Sequence, residues 1–159
     1  MPRSQAVVAA LLLASTAPSV ATAFCSYRGE LYAKTTLQQE FTDARWVVHA
    51  KVVAADDHRS NGGSDWTIYH LEILDTFKGR GEARMDLFTF RDSGGFYLDK
   101  GAIHDLGGEY LLFLNPLAIG RQSPQAARGA TEVNYACGQS KPWRDVSAPE
   151  RAELGSSPR

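Results

Sequence analysis

The 159-residue chain has only two cysteines, Cys25 and Cys137, and they bracket nearly all of its strand-like sequence. If they join, the two ends of that stretch must meet, so their redox state limits the topology more than any other feature. The N-terminus bears on that state. Arg3 precedes an unbroken run of small and aliphatic residues at positions 6–14 (AVVAALLLA). Pro18 then stops helix propagation, and Ala21-Thr22-Ala23 forms an A-x-A cleavage signal. This run is far shorter than the roughly 20 apolar residues a membrane-spanning helix needs. A signal peptide over residues 1–23 is therefore expected, not a membrane anchor. Phe24 stands where a lipid-attachment signal takes a small residue, which speaks against a lipoprotein. The exported chain then starts at Phe24 and resides in the periplasm or outside the cell. There an even cysteine count reads first as a disulfide. Two buried free thiols are the alternative; a structural zinc site would want four ligands.

Charge narrows the partners. The whole chain carries a net charge of −1, and loss of Arg3 with the leader makes it more acidic. No segment gathers the basic stripe that phosphate neutralisation demands, so no nucleic-acid partner is expected. A polybasic cluster or strongly amphipathic helix for a membrane surface is missing too.

Patterning predicts a mainly β domain over residues 24–146, followed by a short helix and disordered tail over 147–159. Thr36 opens a short helix with Gln39 as its capping-box partner and Leu37 and Phe41 on one face. From Trp46 to Ala54 the even positions are all apolar while His49 and Lys51 fall on the odd face, the alternation of a half-buried strand. Residues 56–64 (DDHRSNGGS) form a polar hairpin loop. A second strand, residues 66–77, puts Tyr69, Leu71, Ile73 and Phe77 inward, with His70 and Glu72 outward. A third spans residues 83–90. Residues 96–106 are expected to be irregular. Residues 109–114 are apolar on both faces, which predicts a strand covered on both sides. Residues 120–129 form a polar, mobile connection. A last strand over residues 131–137 carries Thr131, Val133, Tyr135 and Cys137 on one side. Ser147 and Glu150 signal a second capped helix, ending near Leu154. Five short strands with a helix at each end suit a small barrel or a small sandwich.

The search for chemistry is mostly negative. The chain has no G-x-S-x-G elbow, H-E-x-x-H, P-loop or G-x-G-x-x-G motif, and a disulfide would leave no thiol nucleophile. No catalytic residue and no cofactor are expected. His49, His70 and Glu72 could converge on a metal if their strands pair in a suitable register, though exposed strand histidines are more often simply solvated. His58 beside Asp57 and His104 beside Asp105 are neighbours in sequence only. The aromatics Trp66, Tyr69, Phe88, Phe90, Phe96 and Tyr97 read as core more readily than as a stacking platform. Trp143 either covers a barrel end or stands out as a contact anchor.

Several segments together carry a resemblance. They are Cys25 just after the cleavage point, Ala44-Arg45-Trp46-Val47-Val48-His49-Ala50-Lys51-Val52, and Ile73-Leu74-Asp75-Thr76-Phe77-Lys78-Gly79. Gly108-Glu109-Tyr110-Leu111-Leu112-Phe113 and Tyr135-Ala136-Cys137-Gly138, with Pro142 close behind, complete the set. In order and spacing the chain resembles bacterial members of the netrin-like group, whose best-known relatives are the tissue inhibitors of metalloproteinases. The resemblance implies a five-stranded OB-like barrel with short flanking helices, and a Cys25–Cys137 bridge from the N-terminal segment to the last strand. In the inhibitor relatives, the N-terminal cysteine meets the protease's zinc through its free amine and carbonyl. That implies Phe24, Cys25, Ser26 and Tyr27 as the contact with another protein, a metallopeptidase in the sharpest form. Tyr27 stands where the inhibitors carry a second cysteine, and no cysteine lies near Ser93-Gly94-Gly95, so one bridge is expected where they have more.

The leading expectation is an exported, non-enzymatic protein-binding module. A structural or envelope-maintenance protein and a metal-dependent enzyme using His49, His70 and Glu72 stay open beside it.

Overall fold

The computed structural model describes residues 25–60, 63–92, 94–120 and 124–156. The signal-peptide expectation (residues 1–23) and Phe24 lie outside the described residues. Five strands form the body: β1 (Trp46–His58), β2 (Trp66–Lys78), β3 (Arg84–Phe90), β4 (Glu109–Pro116) and β5 (Thr131–Val133). β1 pairs antiparallel with β2 and with β4, and β2 pairs antiparallel with β3. β5 pairs antiparallel with β4 and parallel with β3, which closes the sheet into a five-stranded mixed barrel. At the parallel seam only Leu87 and Thr131 register as a pair, and the Thr131 hydroxyl adds a bond to the Asp86 carbonyl at 2.8 Å. A short β6 (Lys141–Pro142) pairs with Leu111 and Tyr110 on the same edge of β4 as β5.

Three register shifts between β1 and β2, at Val47/Val48, His49/Ala50 and Val52/Ala54, supply the bending that a closed barrel needs from long strands. Val48, Ala50 and Val52 from β1, Tyr69 and Leu71 from β2, Leu87 from β3, and Tyr110, Leu112 and Leu114 from β4 fill the interior. The other faces of β1 and β4 are also dry. Val47, Leu111 and Phe113 lie beneath α1 (Leu37–Asp43) and α2 (Ala148–Ser156), packed with Leu37, Phe41, Val146 and Leu154. The two-sided burial predicted for residues 109–114 holds from Tyr110 to Leu114, with Glu109 exposed, and its cause is one helix pair outside and one barrel core inside.

Both helices begin as predicted. The Thr36 hydroxyl accepts the Gln39 N–H at 3.2 Å while Gln39 Oε1 accepts the Thr36 N–H at 2.8 Å. Glu150 Oε2 accepts the Ser147 N–H at 2.7 Å.

Several boundaries differ. β1 runs on to His58 through the Asp56-Asp57 segment predicted as loop, because a facing strand, Trp66–Ile68, pairs with it. α2 reaches Ser156, and its Leu154 is 1% exposed, so this helix belongs to the domain instead of to a tail. Within the connection predicted as mobile, Gln125–Ala127 forms a 3-10 turn that buries Ala127 against Ile68 and Phe88. β5 stops at Val133, so Cys137 lies in a turn beyond the strand, not on it.

Candidate functional site

The Cys25–Cys137 bridge is formed, spanning a sequence separation of 112 residues. It ties the last turn to an N-terminal hairpin in which Ser26–Tyr27 pairs antiparallel with Glu30–Leu31. At the tip, Arg28 (φ 50°) and Gly29 (φ 85°) both take left-handed backbone, the conformation of a tight hairpin turn. Gly29 adopts it freely; Arg28 does so against its Cβ sterics. Tyr32, which closes the hairpin, is also left-handed at φ 53°. These are the only non-glycine residues with positive φ among the described residues.

Side chains hold the hairpin to the body. The Tyr27 hydroxyl donates to Asp43 Oδ2, and Arg28 grips the same carboxylate in a fork, through Nε at 3.0 Å and Nη2. That guanidinium, and then the Tyr27 hydroxyl, hold the Asp43 carboxyl below its ordinary range. Burial, followed by Asp43, pushes the Tyr27 phenol up. The Tyr27 ring lies 5.2 Å from that of Tyr135, whose hydroxyl donates to the Ala33 carbonyl at 3.2 Å. Leu31 and Tyr32 are 51% and 52% exposed on this braced support. Cys25 is buried, and its carbonyl accepts the Tyr32 N–H at 2.9 Å.

Beneath the disulfide turn lies a residue that sequence reasoning missed. Glu40, on the buried face of α1 with Leu37 and Phe41, is fully inaccessible. Its Oε1 accepts the Gln139 N–H at 2.9 Å and the Thr35 hydroxyl at 2.5 Å. Burial pushes its carboxyl up, while Thr35, Gln139 and Asn134 favour the ionised form. Gly138 makes the approach possible: a Cβ there would stand 2.0 Å from Glu40 Oε1. An acidic residue in a helix's first turn reads from sequence as a dipole partner; only the Gly138 position hinted at a close neighbour.

The histidines are sorted differently from the expectation. His49 is on the outer barrel face as predicted, yet it is 7% exposed, because Trp143 stacks on it with ring centroids 3.9 Å apart. The Arg151 guanidinium lies over that indole at 4.7 Å and Phe77 stacks at 6.1 Å, so Trp143 is a lid on the barrel wall, not a free anchor. His49 reaches Asp75 at 3.2 Å and Glu109 at 2.9 Å. His70, more exposed, lies between Asp86 at 2.7 Å and Asp56 at 3.0 Å. Glu72 is exposed opposite Lys51 and Arg84. The three proposed metal ligands are thus held in separate settings. Among the described residues no group of three or more His, Cys, Asp or Glu side chains is placed to hold a metal.

His104 supplies a third clamp. It sits in a small hairpin, Asp99–Lys100 paired with Ile103–His104, inside the stretch expected to be irregular. The neighbouring Leu98 inserts into the barrel core. His104 contacts Asp57 and Asp99, each at 2.9 Å. Arg91 binds Asp99 and donates to the Thr67 hydroxyl at 2.9 Å, while Tyr69 donates to Asp99 at 2.8 Å. Every polar member of this cluster meets a partner within the barrel end, which makes it a plug. Burial and then Asp99 raise the Tyr69 phenol well above its ordinary range.

No family model matches the sequence, and no curated protein matches it either. Among the described residues, no helix is long and apolar enough to cross a membrane.

Proposed function

We propose that this chain is an exported, non-catalytic protein-binding module whose contact edge is the disulfide-anchored hairpin of residues 25–32. One observation carries the reading. Among the described residues the two left-handed non-glycine residues, Arg28 and Tyr32, fall in this one hairpin, and it presents exposed Leu31 and Tyr32 on a covalently fixed base. Backbone held in sparsely populated regions costs on the order of 1–3 kcal/mol per residue, and such residues concentrate at binding and switching sites. A rigid tyrosine beside an aliphatic side chain also offers contact area at little entropic cost.

The netrin-like resemblance supports the same edge, since in the inhibitor relatives the N-terminal cysteine segment meets the protease. In its sharper form the proposal makes a metallopeptidase the partner, with Phe24, Cys25, Ser26 and Tyr27 in contact. Here the geometry favours side-chain contact over zinc chelation, because the Cys25 carbonyl is engaged by Tyr32 and Cys25 is buried. Export itself is supported by the formed disulfide, which persists in oxidising compartments.

Site-specific photo-cross-linking in the exporting cell tests the edge. A photoreactive phenylalanine at Tyr32 is expected to give one discrete adduct, and the same group at Ile103, 72% exposed near the barrel's plugged end, none. Identical patterns at both positions, or no adduct at Tyr32, would defeat the assignment. Parallel peptidase assays separate its two forms: inhibition abolished by N-terminal acetylation supports chelation, and inhibition that survives it supports side-chain contact.

A further inference from the structure

A second site, independent of the hairpin, opens where β3 and the loop after it face β5. Phe88, Phe90 and Phe96 line one side of this cleft and Leu117 and Val133 the other, enclosing about 390 Å³. The size and apolar lining fall within the range of small-ligand sites. Its wall is built by close backbone approach, since a Cβ on Gly95 would come within 2.2 Å of the Phe90 carbonyl oxygen and 2.6 Å of the Tyr97 ring.

Glu132, projecting from β5, also lines the cleft. Its sole hydrogen bond is a long one, 3.3 Å, from the Ala118 N–H, and no basic side chain pairs with it among the described residues. The neighbouring carboxylate at the cleft, Asp92, caps its own loop by accepting the Gly94 N–H at 3.0 Å. The cleft therefore combines three aromatic rings with a partly desolvated carboxylate that has no counter-charge among the described residues.

We infer that this cleft binds a small organic cation, an amine or ammonium group carried on an apolar body of about the size of a phenyl ring. The apolar body packs among Phe88, Phe90, Phe96 and Leu117. The ammonium reaches Glu132, where ring faces add cation–π attraction. A neutral ligand leaves the carboxylate uncompensated in apolar surroundings, and an anion meets both Glu132 and Asp92. Burial pushes the Glu132 carboxyl up, a cost of desolvation that a bound cation relieves.

Two-dimensional amide NMR of the folded exported chain, titrated with 2-phenylethylamine, tests this. Saturable shifts confined to residues around Phe88, Leu117 and Val133 are expected. Phenylacetate, of the same shape and opposite charge, and neutral benzyl alcohol should bind at least about tenfold more weakly, as should the amine to Glu132→Gln. Equal binding of phenylacetate, unchanged affinity in a folded Glu132→Gln, or shifts located elsewhere each overturn the proposal, as does an amine titration without saturation. If Glu132→Gln does not fold, the ligand series on the unaltered protein decides by itself.

Discussion

Glu40 Oε1 accepts the backbone N–H of Gln139 at 2.9 Å, joining helix α1 to the turn that carries Cys137. Gln139 follows Cys137 by two residues, so the turn is held twice, once by sulfur and once by a buried carboxylate. Truncation by Glu40→Ala leaves the Gln139 N–H and the Thr35 hydroxyl without that acceptor in a partly buried place. The expected cost is about 2–4 kcal/mol, read from urea-unfolding midpoints. Gly138→Ala should also destabilise, because its Cβ collides with the same carboxylate. That penalty should shrink in the Glu40→Ala background; equal penalties in both backgrounds would show that the two residues do not meet.

Three histidines are each clamped between two carboxylates from different segments, and two of them carry a defined pH dependence. Hydrogen bonds to Asp56 and then Asp86 raise His70, against a smaller opposing effect of burial. For His104 burial opposes the charge most strongly among single causes, but Asp57 and Asp99 together outweigh it, and the net direction is again up. Both histidines therefore bind a proton more tightly folded than unfolded, where the value is about 6.5. Their stabilisation is fully present below that pH and is lost as pH rises through the raised folded values. Unfolding midpoints should fall from mildly acidic to mildly alkaline pH, and the slope should flatten in His70→Gln and His104→Gln. An unchanged slope in both variants would contradict the clamps.

Much of the barrel was legible because its strands keep strict alternation wherever one face is solvated. In β2, Tyr69 and Leu71 point inward and His70 outward as the pattern predicts. On β1 the even positions from Trp46 to Val52 do line the interior, until the shift at Val52/Ala54 turns Ala55 inward, but Val47 and His49 on the odd face are buried as well. Their burial comes from α1, α2 and Trp143, segments distant in sequence, which no local period records. The Cys137 position misled for a related reason. Thr131, Val133, Tyr135 and Cys137 continue an alternating pattern past Val133, where the chain leaves β4 after a last bond from the Asn134 N–H to the Phe113 carbonyl at 2.8 Å, so the pattern outlasts the strand. The Cys25 hairpin was not foreseen, because its two-residue strands are too short for periodicity to show. Glu40, the Asp99–His104 hairpin and the Glu132 cleft depend on partners brought together only by closure of the barrel.

The C-terminal helix makes its own prediction. Lys141 on β6 binds Glu150 at 2.6 Å, and the Ser147 N–H donates to the same carboxyl at 2.7 Å. The lysine first, then the Ser147 backbone, hold Glu150 down at about 2. This depressed value means a contribution present above the unfolded value of about 4.3 and lost as pH falls toward about 2. Glu150→Gln weakens both the ion pair and the cap and should cost about 1 kcal/mol. Carboxyl NMR titration should find Glu150 the last of the helix's acids to protonate; an ordinary glutamate midpoint would remove the cap from the account.

Reduction of the bridge gives a prediction of larger size. Closing a loop of this length restricts the unfolded chain by about 4–5 kcal/mol on the chain-entropy model. Urea unfolding of Cys25→Ser/Cys137→Ser should show a loss of that order, and the cross-link from Tyr32 should weaken with it. A stable double variant that retains full Tyr32 cross-linking would mean that the bridge does not organise the contact edge.

The most direct test of an exported, sulfur-anchored edge is an intact-mass measurement on natively exported protein, alkylated without reduction. The predicted species starts at Phe24, takes up no alkylating agent, and is lighter by two hydrogens than the fully reduced chain. A species alkylated at both Cys25 and Cys137, or one that retains residues 1–23, would contradict the account.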